Sequence, residues 1–219
     1  MRSAVDLRLY LVTDAALAAP RTLVDIVRAA VGPGISGGGG GVTAVQLRDS
    51  EAGGRQLYLA AVELLDVLAT TGVALIVNDR LDVALAAGAQ GTHLGQGDLP
   101  PDRARAIAGP DHVLGFSAAN ASEMASLGEW PTETVDYLGV GPVRATATKP
   151  DAGAPIGMDG LAGACRLTPL PCVAIGGIDT FNAAAAIHAG AAGIAVVSAI
   201  CAAADPARAA AELRACVER

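Results

Sequence analysis

Eight short apolar runs recur along this chain, at 9–12, 42–47, 73–77, 91–94, 112–116, 135–140, 172–175 and 193–197. Segments with helical periodicity alternate with them: 22–31, 55–70, 81–87, a stretch near 121–127, and 180–189. A last helix starts at Asp205-Pro206, a capping carboxylate followed by a proline whose missing N–H costs nothing in the first helical turn. Gly88 closes the segment 81–87 as a C-cap residue. Short runs separated by helices predict parallel strands joined by crossovers. Eight such units within 219 residues favour a closed (β/α)8 barrel, a TIM barrel, over an open doubly wound sheet. No linker divides the chain, so residues 1–219 read as one domain.

Composition agrees with that architecture. Just over half the residues are apolar (52%) and only 3% are aromatic, so the core is built from Ala, Val, Leu and Ile packed helix on strand. A net charge of −7, with no basic run, excludes sequence-independent nucleic-acid binding. Any phosphate ligand must then be held locally, by a few cations, backbone N–H groups and a metal. The first twelve residues carry Arg2, Asp6 and Arg8 and are too polar for a secretory signal. No run spans a membrane, and the expected location is cytoplasmic. Cys165, Cys172, Cys201 and Cys216 form no C-x-x-C pair and read as reduced, packed thiols. The sequence leaves homo-oligomerisation open.

One internal echo stands out. Ala87-Gly88-Ala89-Gln90-Gly91 resembles Ala189-Gly190-Ala191-Ala192-Gly193, half a barrel later. It is either a trace of duplication or a turn that suits any helix-to-strand connection.

In such a barrel, ligand groups come from the C-terminal ends of strands and the loops after them. The glycine run 37–41 precedes a strand, so it reads as a flexible surface loop and not as a phosphate cradle. Gln46 and Arg48 share a strand face, which would point an amide and a guanidinium into the barrel mouth. The competing reading pairs Arg48 with Asp49 or Glu51 on the surface. Asn78-Asp79 and Asp98 end adjacent strands, and two carboxylates there would converge on a magnesium ion. Taken singly, Asp79 reads equally as a helix N-cap and Asp98 as a turn residue. His93 is either a buried structural side chain or a ligand or base. Ser117 ends the fifth strand, where it would meet a phosphate or cap a helix. Thr146, Thr148 and Lys149 put two hydroxyls and an ammonium on one loop. Gly177 and the Val197-Ser198 step follow strands seven and eight, the usual phosphate position of this fold, where a short helix starting at Ser198 would favour an anion.

Taken in order, these motifs resemble the thiamine phosphate synthase family, from Leu9-Tyr10-Leu11-Val12-Thr13-Asp14 to Ser198-Ala199-Ile200. The resemblance implies that the enzyme joins a hydroxymethylpyrimidine diphosphate to a thiazole phosphate. Thiamine phosphate and diphosphate would be released, with CO2 if the thiazole is carboxylated. It implies that Gln46, Arg48, Asn78, Ser117 and Lys149 hold the pyrimidine diphosphate, with Arg48, Ser117 and Lys149 acting on the reaction itself. Asp79 and Asp98 would hold Mg2+, and Thr146, Thr148, Gly177, Val197 and Ser198 the thiazole phosphate. No strong protein nucleophile is needed, which matches the absence of a Ser-His-Asp or Cys-His set.

Two departures from the family pattern stand in the sequence. Q-L-R-[DE]-K reads here Gln46-Leu47-Arg48-Asp49-Ser50, and P-T-x-T-K reads Ala145-Thr146-Ala147-Thr148-Lys149. Serine in place of lysine removes a charge-assisted phosphate contact worth about 1.5–3 kcal/mol. At the upper end that is roughly a hundredfold in rate. Arg55 and Arg144 are the candidate substitutes. Two alternatives follow from Ser50: a related thiazole-phosphate tautomerase, or a weakly active or non-catalytic binding relative.

Overall fold

In the computed structural model, which describes residues 5–32, 41–149 and 152–218, eight parallel strands close into a barrel in strict sequence order. They are β1 (Leu9–Val12), β2 (Ala44–Leu47), β3 (Ala74–Asn78), β4 (Gly91–Leu94), β5 (Val113–Ser117), β6 (Tyr137–Val140), β7 (Cys172–Ile175) and β8 (Gly193–Val196). β1 pairs with β2 on one side and with β8 on the other, Leu9 opposite Ile194, which seals the barrel.

Alternation along the strands sorts the core into two layers. Leu9 and Leu11 point out to the helices, while Tyr10 and Val12 point in. The inner layer is small: Tyr10, Val12, Ala44, Ile76, Val113, Tyr137, Val173 and Ala195 fill the barrel. The larger outer layer glues barrel to helices and is made of Leu, Val, Ile and Ala, as the aromatic-poor composition requires.

The helices are α1 (Ala15–Ala18), α2 (Leu23–Val31), α3 (Gly54–Leu68), α4 (Leu81–Ala87), α5 (Pro101–Ala108), α6 (Ala121–Ser126), α7 (Gly157–Arg166), α8 (Ala183–His188), α9 (Ser198–Cys201) and α10 (Pro206–Val217). Thr22 and Asp25 form a reciprocal cap at the start of α2. Asp205 caps α10 by accepting from the Arg208 amide, and Gly88 closes α4 in the left-handed conformation.

Sequence boundaries shift in a few places. The helix expected at 180–189 is shorter, because Asp179 and Asn182 use their side chains in a turn: Asn182 Oδ1 accepts from the Asp179 amide and Asp179 Oδ1 from the Phe181 amide. The helix expected at 55–70 stops at Leu68, whose carbonyl takes the Thr71 hydroxyl. Helices α5 and α7 fill connections in which the periodicity had placed none. α5 opens on Pro101, compatible with its first turn.

The internal echo is structurally real. In both copies the glycine has positive φ, 79° at Gly88 and 102° at Gly190. The next amide then reaches back to the helix, Ala89 to the Ala84 carbonyl and Ala191 to the Ala186 carbonyl. A side chain at Gly91 would run into the Val113 carbonyl, and one at Gly193 into the Leu7 carbonyl. Local turn chemistry therefore explains the glycines without appeal to duplication. Of the glycine run 37–41, only Gly41 is described, packed against the end of α2; the surface-loop reading otherwise lies outside the described residues. No helix among the described residues is long and apolar enough to cross a membrane.

Candidate active site

The candidate residues lie at strand ends on one mouth of the barrel. Two hydroxyl contacts fix the second strand end: Thr13 Oγ1 accepts from the Arg48 amide (3.0 Å) and donates to the Arg48 carbonyl (3.2 Å). The Arg48 guanidinium then sits 3.9 Å from the Asp14 carboxylate. This corrects the surface-pair alternative. Asp49 is occupied by the amides of Glu51 and Ala52, and Glu51 by the Ser50 hydroxyl. Thr13 and Asp14 were not singled out in the sequence; the signal was their position directly after β1, beside the end of β2.

Asp79 has φ 60°, a left-handed value uncommon outside glycine, and its amide donates to the His93 carbonyl. It does not cap α4, whose N-cap is Arg80 with no side-chain capping bond. Its side chain instead meets Asp98, hydrogen-bonding to it. The residue is exposed at the rim, but its carboxyl lies at a densely packed point. Burial there, the bond to Asp98 and the charge of Asp98 push it up to about 6, against the opposing pull of Lys149 and Arg48. Asp98 also accepts from the Gly95 amide (2.6 Å), which folds the loop after β4 inward. The four charged groups therefore share one neighbourhood: two carboxyls in contact, with Arg48 and Lys149 within electrostatic reach.

A second set of candidates meets inside the barrel. Gln46 Nε2 donates to Tyr10 Oη (3.0 Å), and Tyr10 Oη lies 2.9 Å from Tyr137 Oη. Tyr137 Oη is 3.0 Å from His93 Nδ1, and His93 Nε2 is 3.0 Å from Ser117 Oγ. His93 is buried and held far down, to about 4, chiefly by burial and then by the Lys149 charge, so the ring is neutral. Both ring nitrogens are already taken by hydroxyls, which favours the structural reading of His93 over a ligand or base. Tyr10 and Tyr137 were also missed, although a tyrosine in the middle of an apolar strand is a signal in a chain with only three.

The remaining candidates line the β3, β6, β7 and β8 ends. Asn78 closes β3, half-buried, with no side-chain hydrogen bond among the described residues. Thr146 Oγ1 accepts from the Thr148 amide (3.2 Å), which curls the loop that carries Lys149. Gly177 has φ 65°, and any side chain there would overlap Arg144 and the Ala145 carbonyl, so the loops after β6 and β7 stack directly. The Arg144 backbone and Cβ stand against Gly177, and Arg55, at the start of α3, is the candidate cation nearer to Ser50 in the chain. Val197 and Ser198 form the entry to α9, Ser198 exposed. No hydrogen bond among the described residues joins them to the other candidates. An open groove of about 490 Å3 lies between α2 and α3, and another of about 380 Å3 between α3 and the loop after β2, where Asp49, Glu51 and Ala52 line it; none of the candidate site residues lines either.

Comparison with known proteins decides the family. A family profile described as thiamine monophosphate synthase matches residues 9–200. The chain belongs to the thiamine phosphate synthase family. It is 50% identical over 213 residues to the thiamine-phosphate synthase of Azorhizobium caulinodans, spanning 97% of this chain and 96% of that protein. It is 52% identical over 212 residues to that of Xanthobacter autotrophicus, spanning 97% and 96%. A solved thiamine phosphate pyrophosphorylase from Pyrococcus furiosus superposes with a TM-score of 0.85 at 37% identity, covering 98% and 96%. A 3-hexulose-6-phosphate synthase structure, 17% identical with a TM-score of 0.64, shares the barrel alone. The chain is accordingly a transferase of the thiamine phosphate synthase type.

Proposed function

We propose that this chain couples hydroxymethylpyrimidine diphosphate to a thiazole phosphate in a magnesium-dependent reaction that releases diphosphate. The observation that carries this reading is the Asp79–Asp98 contact in the field of Lys149 and Arg48. Two carboxyls pressed together repel one another once both are ionised, and a divalent cation relieves that repulsion. The donor set of two carboxylates beside anion-binding groups fits magnesium, which prefers a few carboxylates together with substrate phosphate oxygens and water. When bound there, magnesium supplies positive charge against the diphosphate oxygens.

The protein's own groups do the rest. Arg48, steadied by Asp14 and Thr13, and Lys149 stabilise the charge that gathers on the leaving diphosphate as the pyrimidine-methylene C–O bond breaks. Gln46, Asn78 and Ser117 help to hold the pyrimidine diphosphate. Thr146, Thr148, Gly177, Val197 and Ser198 hold the thiazole phosphate, so that the thiazole nitrogen lies close to the carbon it attacks. Positioning replaces nucleophilic catalysis.

A thiazole-phosphate tautomerase has no diphosphate to neutralise, and the retained acidic pair speaks against it. A product assay tests the synthase reading directly. With both substrates, thiamine phosphate and diphosphate form only when magnesium is present. Equal turnover in excess chelator removes the metal role, and no product under any condition removes the activity.

A further inference from the structure

The five side chains from Gln46 to Ser117 form an unbroken line through the barrel, and its polarity follows from counting hydrogens. The Gln46 amide nitrogen has no lone pair to offer, so Tyr10 Oη accepts from it. The Tyr10 hydrogen is then left for Tyr137 Oη, the next oxygen in line. The Tyr137 hydrogen in turn goes to His93 Nδ1. Both ring nitrogens of His93 face hydroxyls, and no carboxylate bonds the buried imidazole, so the ring carries one proton. With Nδ1 accepting, that proton is on Nε2 and is donated to Ser117 Oγ. The Ser117 hydrogen is thereby left over for the barrel mouth.

Two glycines show that the line is built into the sheet. Gly115 stands level with His93 on one neighbouring strand and Tyr137 on the other. A Cβ at Gly115 would overlap both the phenol and His93 Nδ1. A Cβ at Gly139 would crowd the other edge of the imidazole, at 3.1 Å from Cε1. Ring and phenol meet across β5 only because that strand carries no side chain at this level.

We infer that Tyr10, Tyr137 and His93 form a directed hydrogen-bond relay that makes Ser117 a donor toward the pyrimidine diphosphate, with the two tyrosines as positioning residues. The inference rests on the reading that Ser117 faces that substrate. It adds that β1 sets the state of a hydroxyl on β5 through a tyrosine that need not touch the substrate. The relay favours a ligand that offers Ser117 an acceptor atom.

Nitrogen-15 NMR of the histidine rings tests the relay without any substrate. The chain has three histidines, and single substitutions of His112 and His188 assign the signals. The wild type shows His93 as one tautomer, protonated on Nε2. Tyr10→Phe and Gln46→Leu each remove the source of polarity, and both tautomers then become populated. A wild-type ring protonated on Nδ1, or an unchanged single tautomer in both variants, overturns the relay. Kinetics give the second arm. Tyr10→Phe lowers kcat about five- to tenfold with KM within about twofold, and Ser117→Ala costs several-fold less in that background than alone, as coupled groups do. Strictly additive effects overturn the coupling. If the wild type makes no thiamine phosphate at all, the catalytic reading fails while the NMR arm still decides the relay.

Discussion

The two ends of the barrel handle charge in opposite ways. At the N-terminal end, Arg105 donates to the carbonyls of Thr134, Gly109 and His112 and meets the Asp136 carboxylate at 2.7 Å. Asp136 also accepts from the Leu114 amide, and Thr92 Oγ1 pairs with His112 Nε2. There each charge is matched on the spot by its opposite or by backbone dipoles. At the C-terminal end, Asp79 is turned by a left-handed backbone into contact with another carboxyl. Arg48 stands a loose 3.9 Å from Asp14. Matched charge strengthens the fold, whereas like charge held together by the fold is available to a ligand. The difference separates structural from functional polar residues in a barrel where both kinds sit beside strands.

The sharpest way to break this comparison is to exchange one group at each end. Asp98→Asn leaves the fold intact and lowers kcat by about 10²–10³-fold, the scale of losing one group that stabilises transition-state charge. Steady-state kinetics across a magnesium titration measure it, and near-wild-type turnover sinks the role of Asp98. Arg105→Met does the reverse. It leaves Asp136 and three carbonyls without their cation, at a cost of about 2–3 kcal/mol for a partly exposed pair. That lowers Tm by roughly 4–12 °C in a chain of this length, with kcat at low temperature within about twofold. A large kinetic effect with unchanged Tm would mean that the two ends are not divided as described.

Ser50→Lys sharpens the comparison at the mouth alone. The serine hydroxyl reaches Glu51 and brings no positive charge to the loop after β2. Restoring lysine raises kcat/KM for the pyrimidine diphosphate by about threefold to tenfold, less than a full charge-assisted contact because two cations, Arg48 and Lys149, already stand near the acidic pair. A loss of activity would show that this loop has been reshaped around serine.

How much of this could be read in the chain depends on the range of the interaction. The eight strands follow from local composition, because burial on both faces leaves continuous apolar runs such as Leu9-Tyr10-Leu11-Val12. Ends were less legible where side chains compete with the helix, as Asp179 and Asn182 do ahead of α8. The rule that strand C-termini carry ligands is enough to put Asp79, Asp98, Arg48 and Lys149 at one mouth. It could not show that Arg48 turns to Asp14 and not to Asp49, since that choice is made by Thr13 across the β1–β2 pair. Nor could it find Tyr10 and Tyr137 as partners. They are 127 positions apart, and only barrel closure brings them together.

The smallest expected effect is the one that most directly weighs stability against function at the mouth. Asp79 has its folded-state value raised to about 6 from an ordinary 3.8. Below about pH 3.8 the carboxyl is protonated whether folded or unfolded, and it costs the fold nothing. As pH rises toward 6 the unfolded form ionises first, so stability falls, and above 6 the full cost is present. Asp79→Asn removes that cost. Because the residue is exposed at the rim, solvent screening keeps the gain small, about 1–3 °C in Tm at pH 7.5 for a chain of this length, with no gain at pH 4. Magnesium should raise the Tm of the wild type and leave the variant where it is, since the ion relieves the same repulsion that the amide abolishes. Thermal melts at the two pH values, with and without magnesium, read all four corners. A variant less stable than the wild type at pH 7.5 would mean that the acidic pair supports the fold, and the contrast between the two ends of the barrel would be lost.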